Sequence, residues 1–369
     1  MSKQRWVIKA GSSLVASSDN TFNQSFIKEL SSQINELTKS NIEVVIVSSG
    51  AVAKGMDELN FTERPKALHL LQATASIGQV GLINSYKKEL DSFNIKTSQV
   101  LISHNDMADR TRYLNARRSL QTLLELGIVP IVNENDSVAT EEISFGDNDT
   151  LAGMIVGLID ASKFIMLTDQ IGICDSNPNE NPLAKLVPLI NLDMDDLSNY
   201  TKGKSGVLGR GGIKTKIKAA RLGLDAGSEV RVMDGRDPET LIRILQEKEE
   251  GTLITSNQDL LPSRKQWISN QSSPRGVLII DKGACIALSS RGGSLLPVGI
   301  IKLEGNFKKG DLVSCKDEDS NEIAKGLINF SSQEVRLILG SKSKDISNIL
   351  GYSVENEIIH RDNLVLKRD

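Results

Sequence analysis

The sequence predicts an α/β protein: a three-layer αβα sandwich around a mostly parallel sheet, followed by a small, barrel-like β domain. Three observations carry that expectation. Short β-rich runs alternate with longer helical patterns over the first two-thirds of the 369 residues. Most of those β-rich runs are close to continuously apolar rather than apolar at alternate positions, the mark of strands buried on both faces by helices. Near residue 257 the pattern changes to short β-like runs separated by glycine turns such as Arg291-Gly292-Gly293 and Lys309-Gly310-Asp311.

In chain order, strands are expected at Trp6–Ala10, Glu43–Ser48, Ser98–Ser103, Ile128–Asn133, Lys163–Thr168, Glu229–Met233 and Gly251–Thr255. Between them, Thr111–Gly127 places Tyr113, Ala116, Leu120 and Leu123 on one helical face. Gly212–Gly227 does the same with Ile213, Ile217, Ala220 and Leu224, and Leu151–Ile159 is an apolar helical run. Asn257–Asn270 is polar with Trp267 as an anchor, and Gln271-Ser272-Ser273-Pro274 reads as a linker. Later strands are expected at Gly276–Ile280, Ile300–Leu303, Leu312–Cys315 and Glu322–Leu327. The expected division is a catalytic domain over 1–257, a linker over 258–274, a β domain over 275–353 and an extension over 354–369.

Composition narrows the function classes. Hydrophobic residues make up 39% and charged residues 25%, ordinary for a globular protein, and the net charge of −3 offers no basic field for nucleic acid. Cys174, Cys285 and Cys315 are isolated, with no C-x-x-C pair, which argues against a zinc site or a disulfide framework and fits a reducing compartment. No leader and no apolar stretch long enough to span a bilayer stands out, so the cytoplasm is the expected location and no membrane partner is expected. His69, His104 and His360 lie outside the segments described next, and G-x-S-x-G is absent, so no Ser-His-Asp chemistry is indicated.

The most informative stretch is Asn133–Gly153. It follows the apolar strand Ile128–Val132 and holds Glu134, Asp136, Glu141, Glu142, Asp147 and Asp149. Carboxylates crowded at a strand's carboxyl end repel one another unless a cation sits among them: a substrate ammonium, a lysine or a metal ion. That end of an open α/β sheet is also where ligands bind. Lys9 ends the first strand and runs into Ala10-Gly11-Ser12-Ser13; glycine lets backbone N–H groups approach a phosphate, and lysine adds a point charge. Val47-Ser48-Ser49-Gly50-Ala51 repeats the pattern after the second strand. Gly206–Lys216 is a glycine-rich loop leading into a helix, with Lys214 and Lys216 able to reach phosphates. It is not a P-loop: Gly203-Lys204-Ser205 resembles the end of one, but Ser198 stands where the first glycine belongs. Thr168-Asp169-Gln170 follows a strongly apolar strand, where a base or ribose could lie.

Lysines, glycine loops and an acidic cluster at strand ends of one sheet suit phosphoryl transfer from a nucleotide, which needs positioning and charge neutralisation more than covalent help. An alcohol acceptor would gain from a base. A carboxylate acceptor is already ionised, since a free carboxyl titrates near ~4. The lack of a well-placed histidine fits the carboxylate.

These segments together resemble the amino acid kinase family over essentially the whole chain. The resemblance rests on Val7–Ser13, Val47–Ala51, Tyr113-Leu114-Asn115-Ala116-Arg117, Val132–Thr140, Phe145–Asp149, Leu167–Gln170 and Gly209–Lys216. The pair Asn133-Glu134-Asn135-Asp136-Ser137-Val138-Ala139-Thr140 and Gly146-Asp147-Asn148-Asp149 points to the branch acting on L-glutamate. Leu295-Leu296-Pro297-Val298-Gly299-Ile300 and Ile349-Leu350-Gly351-Tyr352 make the tail resemble a PUA domain. The resemblance implies the amino acid kinase fold and ATP-dependent phosphorylation of the glutamate γ-carboxylate, the first step of proline biosynthesis. It also implies magnesium, feedback inhibition by L-proline and a homo-oligomer, tetramer or dimer. Residue by residue, it makes Lys9 and Lys216 the pair that stabilises the transferring phosphoryl, with Asp149 orienting them. Ser49, Asp136 and Asn148 would contact glutamate, with Asp147 as a neighbour. Thr168, Asp169, Arg210, Gly211, Gly212, Ile213, Lys214, Thr215 and Lys216 would form the nucleotide site, together with Lys9. Ala10 and Cys174-Asp175-Ser176-Asn177-Pro178 depart from the family pattern. The alternatives are a kinase of the family acting on aspartate, acetylglutamate, carbamate or a nucleotide, and an RNA-binding PUA protein; nucleic acid is not an expected partner, because charges over 275–369 are nearly balanced and no aromatic-basic stripe occurs there.

Overall fold

The computed structural model of the chain describes residues 4–16, 21–138, 148–176, 178, 180–195, 212–248, 250–257, 268, 274–351 and 355–367. Asp147, Arg210, Gly211, the rest of the glycine loop from Gly206, Trp267 and most of the 258–274 linker lie outside these residues. The chain divides into two compact units, Met1–Leu260 and Leu261–Asp369.

The first unit is built on eight strands: β1 Gln4–Ala10, β2 Ile42–Ser48, β3 Thr97–Ile102, β4 Val129–Glu134, β5 Lys163–Thr168, β6 Leu189–Asn191, β7 Glu229–Asp234 and β8 Thr252–Thr255. Their spatial order is β3-β4-β2-β1-β5-β7-β8-β6. All neighbours pair in parallel except β7 with β8. The chain runs from β1 outward through β2, β3 and β4 on one side, then crosses to β5 on the other. Strand order therefore reverses at β1, the point at whose carboxyl ends open α/β sheets bind ligands. The short β6 was not expected from sequence, because three residues carry too little periodicity.

Both faces of the sheet are covered, giving the expected three layers. On one face, Trp6, Ile8 and Ala10 of β1 join a core with α1 (Ser12–Val15), α2 (Gln24–Lys39), α4 (Leu68–Asp91) and α9 (Thr240–Leu245). The short α3 (Ala51–Leu59) lies on α4 at the distance glycine allows. A Cβ added to Gly78 would stand 1.9 Å from the Ala51 carbonyl oxygen. The opposite face carries α7 (Asn148–Ile159), which lies against β1, β2, β4 and β5 with α6 (Arg110–Glu125) and α8 (Ile213–Asp225) beside it. A helix that is apolar all round is a buried helix, and every residue of α7 from Asp149 to Ile159 is buried. The remaining helix, α5 (His104–Ala108), follows β3.

Two expected helix faces are corrected. In α6 the third buried position is Leu124, while Leu123 is half-buried. In α8 the buried face is Ala219, Ala220, Leu222 and Gly223, and Ile213, Ile217 and Leu224 are half-buried. Small residues won that face because they permit close approach: a Cβ on Gly153 of α7 would stand 2.8 Å from the Ala219 carbonyl oxygen, and one on Gly223 would stand 2.9 Å from both Phe164 and Val230.

The second unit contains a five-stranded sheet of order β10-β9-β11-β12-β13. Its strands are β9 Gly276–Ile280, β10 Ile300–Gly305, β11 Leu312–Lys316, β12 Glu322–Leu327 and β13 Leu364–Leu366. Only β9 and β11 pair in parallel. Residues 354–369, expected as an extension, supply β13 to this sheet. Three helices unforeseen in the sequence join it: α10 Lys282–Arg291, α11 Ser332–Ile338 and α12 Ile346–Leu350. The start of α11 was legible: Ser331 and Glu334 form a reciprocal capping box. The core packs Leu278, Val313, Cys315, Phe330 and Val335. No described helix is long and apolar enough to cross a membrane.

Candidate active site

Parallel register brings the carboxyl ends of β2, β1 and β5 to one edge, with Ser48 beside Ala10 and Ala10 beside Leu167. Two helices begin at this edge, α7 with Asn148-Asp149 and α8 with Ile213. Backbone turns are tight here. Gly50 adopts φ 110°, and a Cβ there would meet Val15 Cγ1 at 2.4 Å. No other residue fits that conformation and that space.

A charged cluster forms first. Strand alternation turns Lys9 away from the face of Ile8 and Ala10 and toward α7. Its Nζ stands 2.6 Å from Asp149 Oδ1, with the lysine side chain 7% exposed and the aspartate fully buried. Lys216 Nζ stands 3.4 Å from the other oxygen, Oδ2. The Thr215 hydroxyl is 2.9 Å from Oδ2 and 2.8 Å from the Gly212 carbonyl oxygen. Burial alone would raise the Asp149 carboxyl; the Lys9 and Lys216 ammonium groups outweigh it, with the contacts of Lys9 and Thr215, and hold it well below the usual range. Its place in the first turn of α7 adds the favourable end of the helix dipole. Two ammonium groups, from β1 and α8, thus converge on one carboxylate.

A neutral chain of amides runs beside it. Asn148 Nδ2 donates to the Ser49 hydroxyl at 2.9 Å, the Ser48 carbonyl at 3.1 Å and Asn133 Oδ1 at 2.9 Å. Asn133, at the end of β4, also accepts from the Glu134 backbone N–H at 2.9 Å and donates to Gln79 Oε1 at 2.8 Å. Gln79 and Asn133 are buried. Ser48 Oγ lies 3.0 Å from the buried Tyr86 hydroxyl; burial pushes the Tyr86 phenol up, against a smaller lowering by the Ser48 hydrogen bond, and keeps it neutral.

The structure thus joins Lys9, Asp149, Thr215 and Lys216 in one cluster, and Ser49 and Asn148 in another. Thr168 is buried at the end of β5, with its hydroxyl 3.2 Å from the half-buried Asp169 carboxylate. Gly212 and Ile213 are half-buried at the start of α8, and Lys214 is exposed. Asp136 is half-buried in the turn after β4. Gln79 and Asn133 were not singled out as site residues. The available signal was a glutamine on the otherwise small or apolar inward face of α4, with Ala75, Gly78, Leu82, Tyr86 and Leu90.

Comparison with known proteins places the chain in a family. The amino acid kinase family matches over residues 4–234 and the PUA domain over residues 276–350. A glutamate 5-kinase of Nitrosococcus oceani is 46% identical over 363 residues, covering 98% of this chain and 97% of that protein. Glutamate 5-kinases of Saccharophagus degradans and Pseudomonas syringae pv. tomato are 45% and 44% identical, each over 98% of this chain and 97% and 98% of the respective protein. With its parallel sheet and strand-end cluster, the chain belongs to the amino acid kinase family and carries a PUA domain behind the kinase unit.

Proposed function

We propose that this chain transfers the γ-phosphoryl group of ATP to the side-chain carboxylate of L-glutamate, giving L-glutamyl 5-phosphate and ADP. The transfer would be the entry to proline biosynthesis. The observation that carries the reading is the convergence of two cations at the switch point: Lys9 and Lys216 share the buried carboxylate of Asp149. Near full-length identity to glutamate 5-kinases supports the choice of acceptor.

In this reading the glutamate carboxylate attacks already ionised, so no general base is needed. The two ammonium groups stabilise the negative charge spread over the phosphoryl oxygens in flight. Asp149 holds both lysines in place and keeps them from repelling each other. Ser49, Asn148 and Asp136 hold the amino acid, with Asp147 beside them. Thr168, Asp169 and the segment from Arg210 to Lys216 hold the nucleotide. Magnesium is the expected companion of the nucleotide phosphates. Among the described residues no group of three or more carboxylates, histidines or cysteines is placed to hold a metal, and Asp149 is committed to its lysines, so these residues do not form a magnesium site by themselves. Inhibition by L-proline, a cytoplasmic location and a homo-oligomer complete the reading. Leu70, Ile77 and Val80 of α4 leave apolar surface at 45%, 40% and 63% exposure, which supports self-association.

The test is an acceptor panel. Purified protein with ATP and magnesium is offered glutamate, aspartate, acetylglutamate and carbamate, and the acyl phosphate is trapped with hydroxylamine. Turnover with glutamate is the expected result; turnover with acetylglutamate and none with glutamate would overturn the assignment.

A further inference from the structure

The amide chain has a direction, and two backbone groups fix it. The Glu134 N–H can only donate, so the group of Asn133 facing it is the carbonyl oxygen. The Ser48 C=O can only accept, so the group of Asn148 facing it is the nitrogen. The Asn133 nitrogen therefore points the other way, into the buried side of α4, where it needs an acceptor. Gln79 Oε1 is that acceptor, at 2.8 Å. Gln79 reaches this place because Gly78 and Gly55 let α3 and α4 touch, a Cβ on Gly78 lying 2.1 Å from the Gly55 nitrogen. In holding Asn133, Gln79 leaves its own Nε2 buried without a partner. An unpaired buried N–H is costly, so packing alone does not account for an amide there. With its nitrogen engaged by Ser48, Ser49 and Asn133, Asn148 turns its carbonyl oxygen to the remaining side, and none of the described residues donates to it.

We infer that Gln79 is a positioning residue that anchors the Gln79–Asn133–Asn148 chain in the polarity its backbone contacts allow, so that the site presents the Asn148 carbonyl oxygen to a hydrogen-bond donor on the acceptor substrate. The inference rests on the glutamate reading and deepens it: the donor is the substrate's α-ammonium group. Without the Gln79 oxygen, the Asn133 nitrogen is buried unpaired. Asn133 then loses the contact that anchors its amide and holds Asn148 less firmly, so the Asn148 carbonyl oxygen is no longer held toward the donor.

The experiment compares wild type with Gln79→Met, which keeps length and bulk but removes the acceptor, and with Gln79→Glu, which retains a carbonyl oxygen. Each is assayed with glutamate and with glutarate, which lacks the ammonium group, and each is crystallised. Gln79→Met is expected to raise the glutamate KM about tenfold, with kcat and the ATP KM within about twofold, and to narrow the preference for glutamate over glutarate by a similar factor. Gln79→Glu is expected to restore most of that preference. The proposal falls if Gln79→Met leaves the glutamate-to-glutarate ratio unchanged. It falls equally if both variants lose kcat and melting temperature together with the ratio intact, the signature of packing alone. If wild type turns over no glutamate, the functional reading fails separately, and the crystal structures decide the positioning role: Asn133 and Asn148 unmoved in Gln79→Met would overturn it.

Discussion

Asn148 and Asp149 are consecutive in the chain, yet they serve opposite electrostatics. Asn148 ends a chain of neutral amides reaching back to α4, in which every contact has a donor and an acceptor end. Asp149 is a fully buried charge held by two lysines from different elements, β1 and α8. A helix start supplies both at once because successive residues in a first turn project about 100° apart. The charged cluster depends above all on its carboxylate: without Asp149, two ammonium groups lose the anion that holds them together. The amide chain depends on orientation, and its failure appears as lost discrimination rather than lost chemistry.

The largest effects should come from breaking the charged side. Lys9→Ala and Lys216→Ala are each expected to lower kcat about 10²–10³-fold, corresponding to roughly 3–4 kcal/mol of transition-state stabilisation. Steady-state kinetics at saturating ATP and glutamate measure this. Normal turnover by Lys216→Ala would remove the lysine pair from the mechanism. On the amide side, Ser49→Ala and the neighbouring Asp136→Ala should raise the glutamate KM about tenfold with a smaller change in kcat, because they remove binding common to ground and transition states. A fall in kcat as large as that of the lysine variants would erase the distinction between the two sides.

Acid titration sharpens it further. The Asp149 carboxyl lies below its unfolded value, so folding favours the charged form. Its contribution to stability is complete above the ordinary carboxylate range, about pH 4 and higher, and is lost as pH falls from there through the lower folded value. Denaturant unfolding of wild type and Asp149→Asn should differ by a constant amount from pH 6 to 8 and converge below about pH 4. A gap that widens in acid would contradict the ion-pair account.

The second unit supplies the contrast of a buried titratable group without a cation. Burial, then Glu322 and Cys285, push the Cys315 thiol up to about 12. In the native protein at pH 8 it should resist iodoacetamide, with peptide mass spectrometry finding modification there only after unfolding. Rapid labelling of Cys315 would mean that this core opens readily.

Burial opposes charge on both Asp149 and Cys315; the Lys9 and Lys216 ammonium groups reverse it for Asp149, whereas Glu322 adds to it for Cys315, so the difference lies in the neighbours. That is also where sequence reading stopped. The continuous apolar runs at Trp6–Ile8, Val44–Val47 and Phe164–Leu167 were legible as strands of a covered parallel sheet, and Lys9, Ser49 and Thr168 could be placed at their carboxyl ends. Both depend on local periodicity, which a chain carries in itself. The buried faces of α6 and α8 were misplaced by a residue or more, since helices of mixed small and large residues turn toward whichever side permits the closer approach.

The sequence by itself determined the class of fold, the strand ends and the kinds of side chain gathered there, because hydrophobic period and turn chemistry are properties of neighbouring residues. Only the tertiary structure decided that Lys9 and Lys216 meet on one carboxylate and that Gln79 orients Asn133. Those pairings join residues far apart in the chain. Sheet order and close helix contact at glycine bring them within hydrogen-bond distance, and no local pattern encodes either.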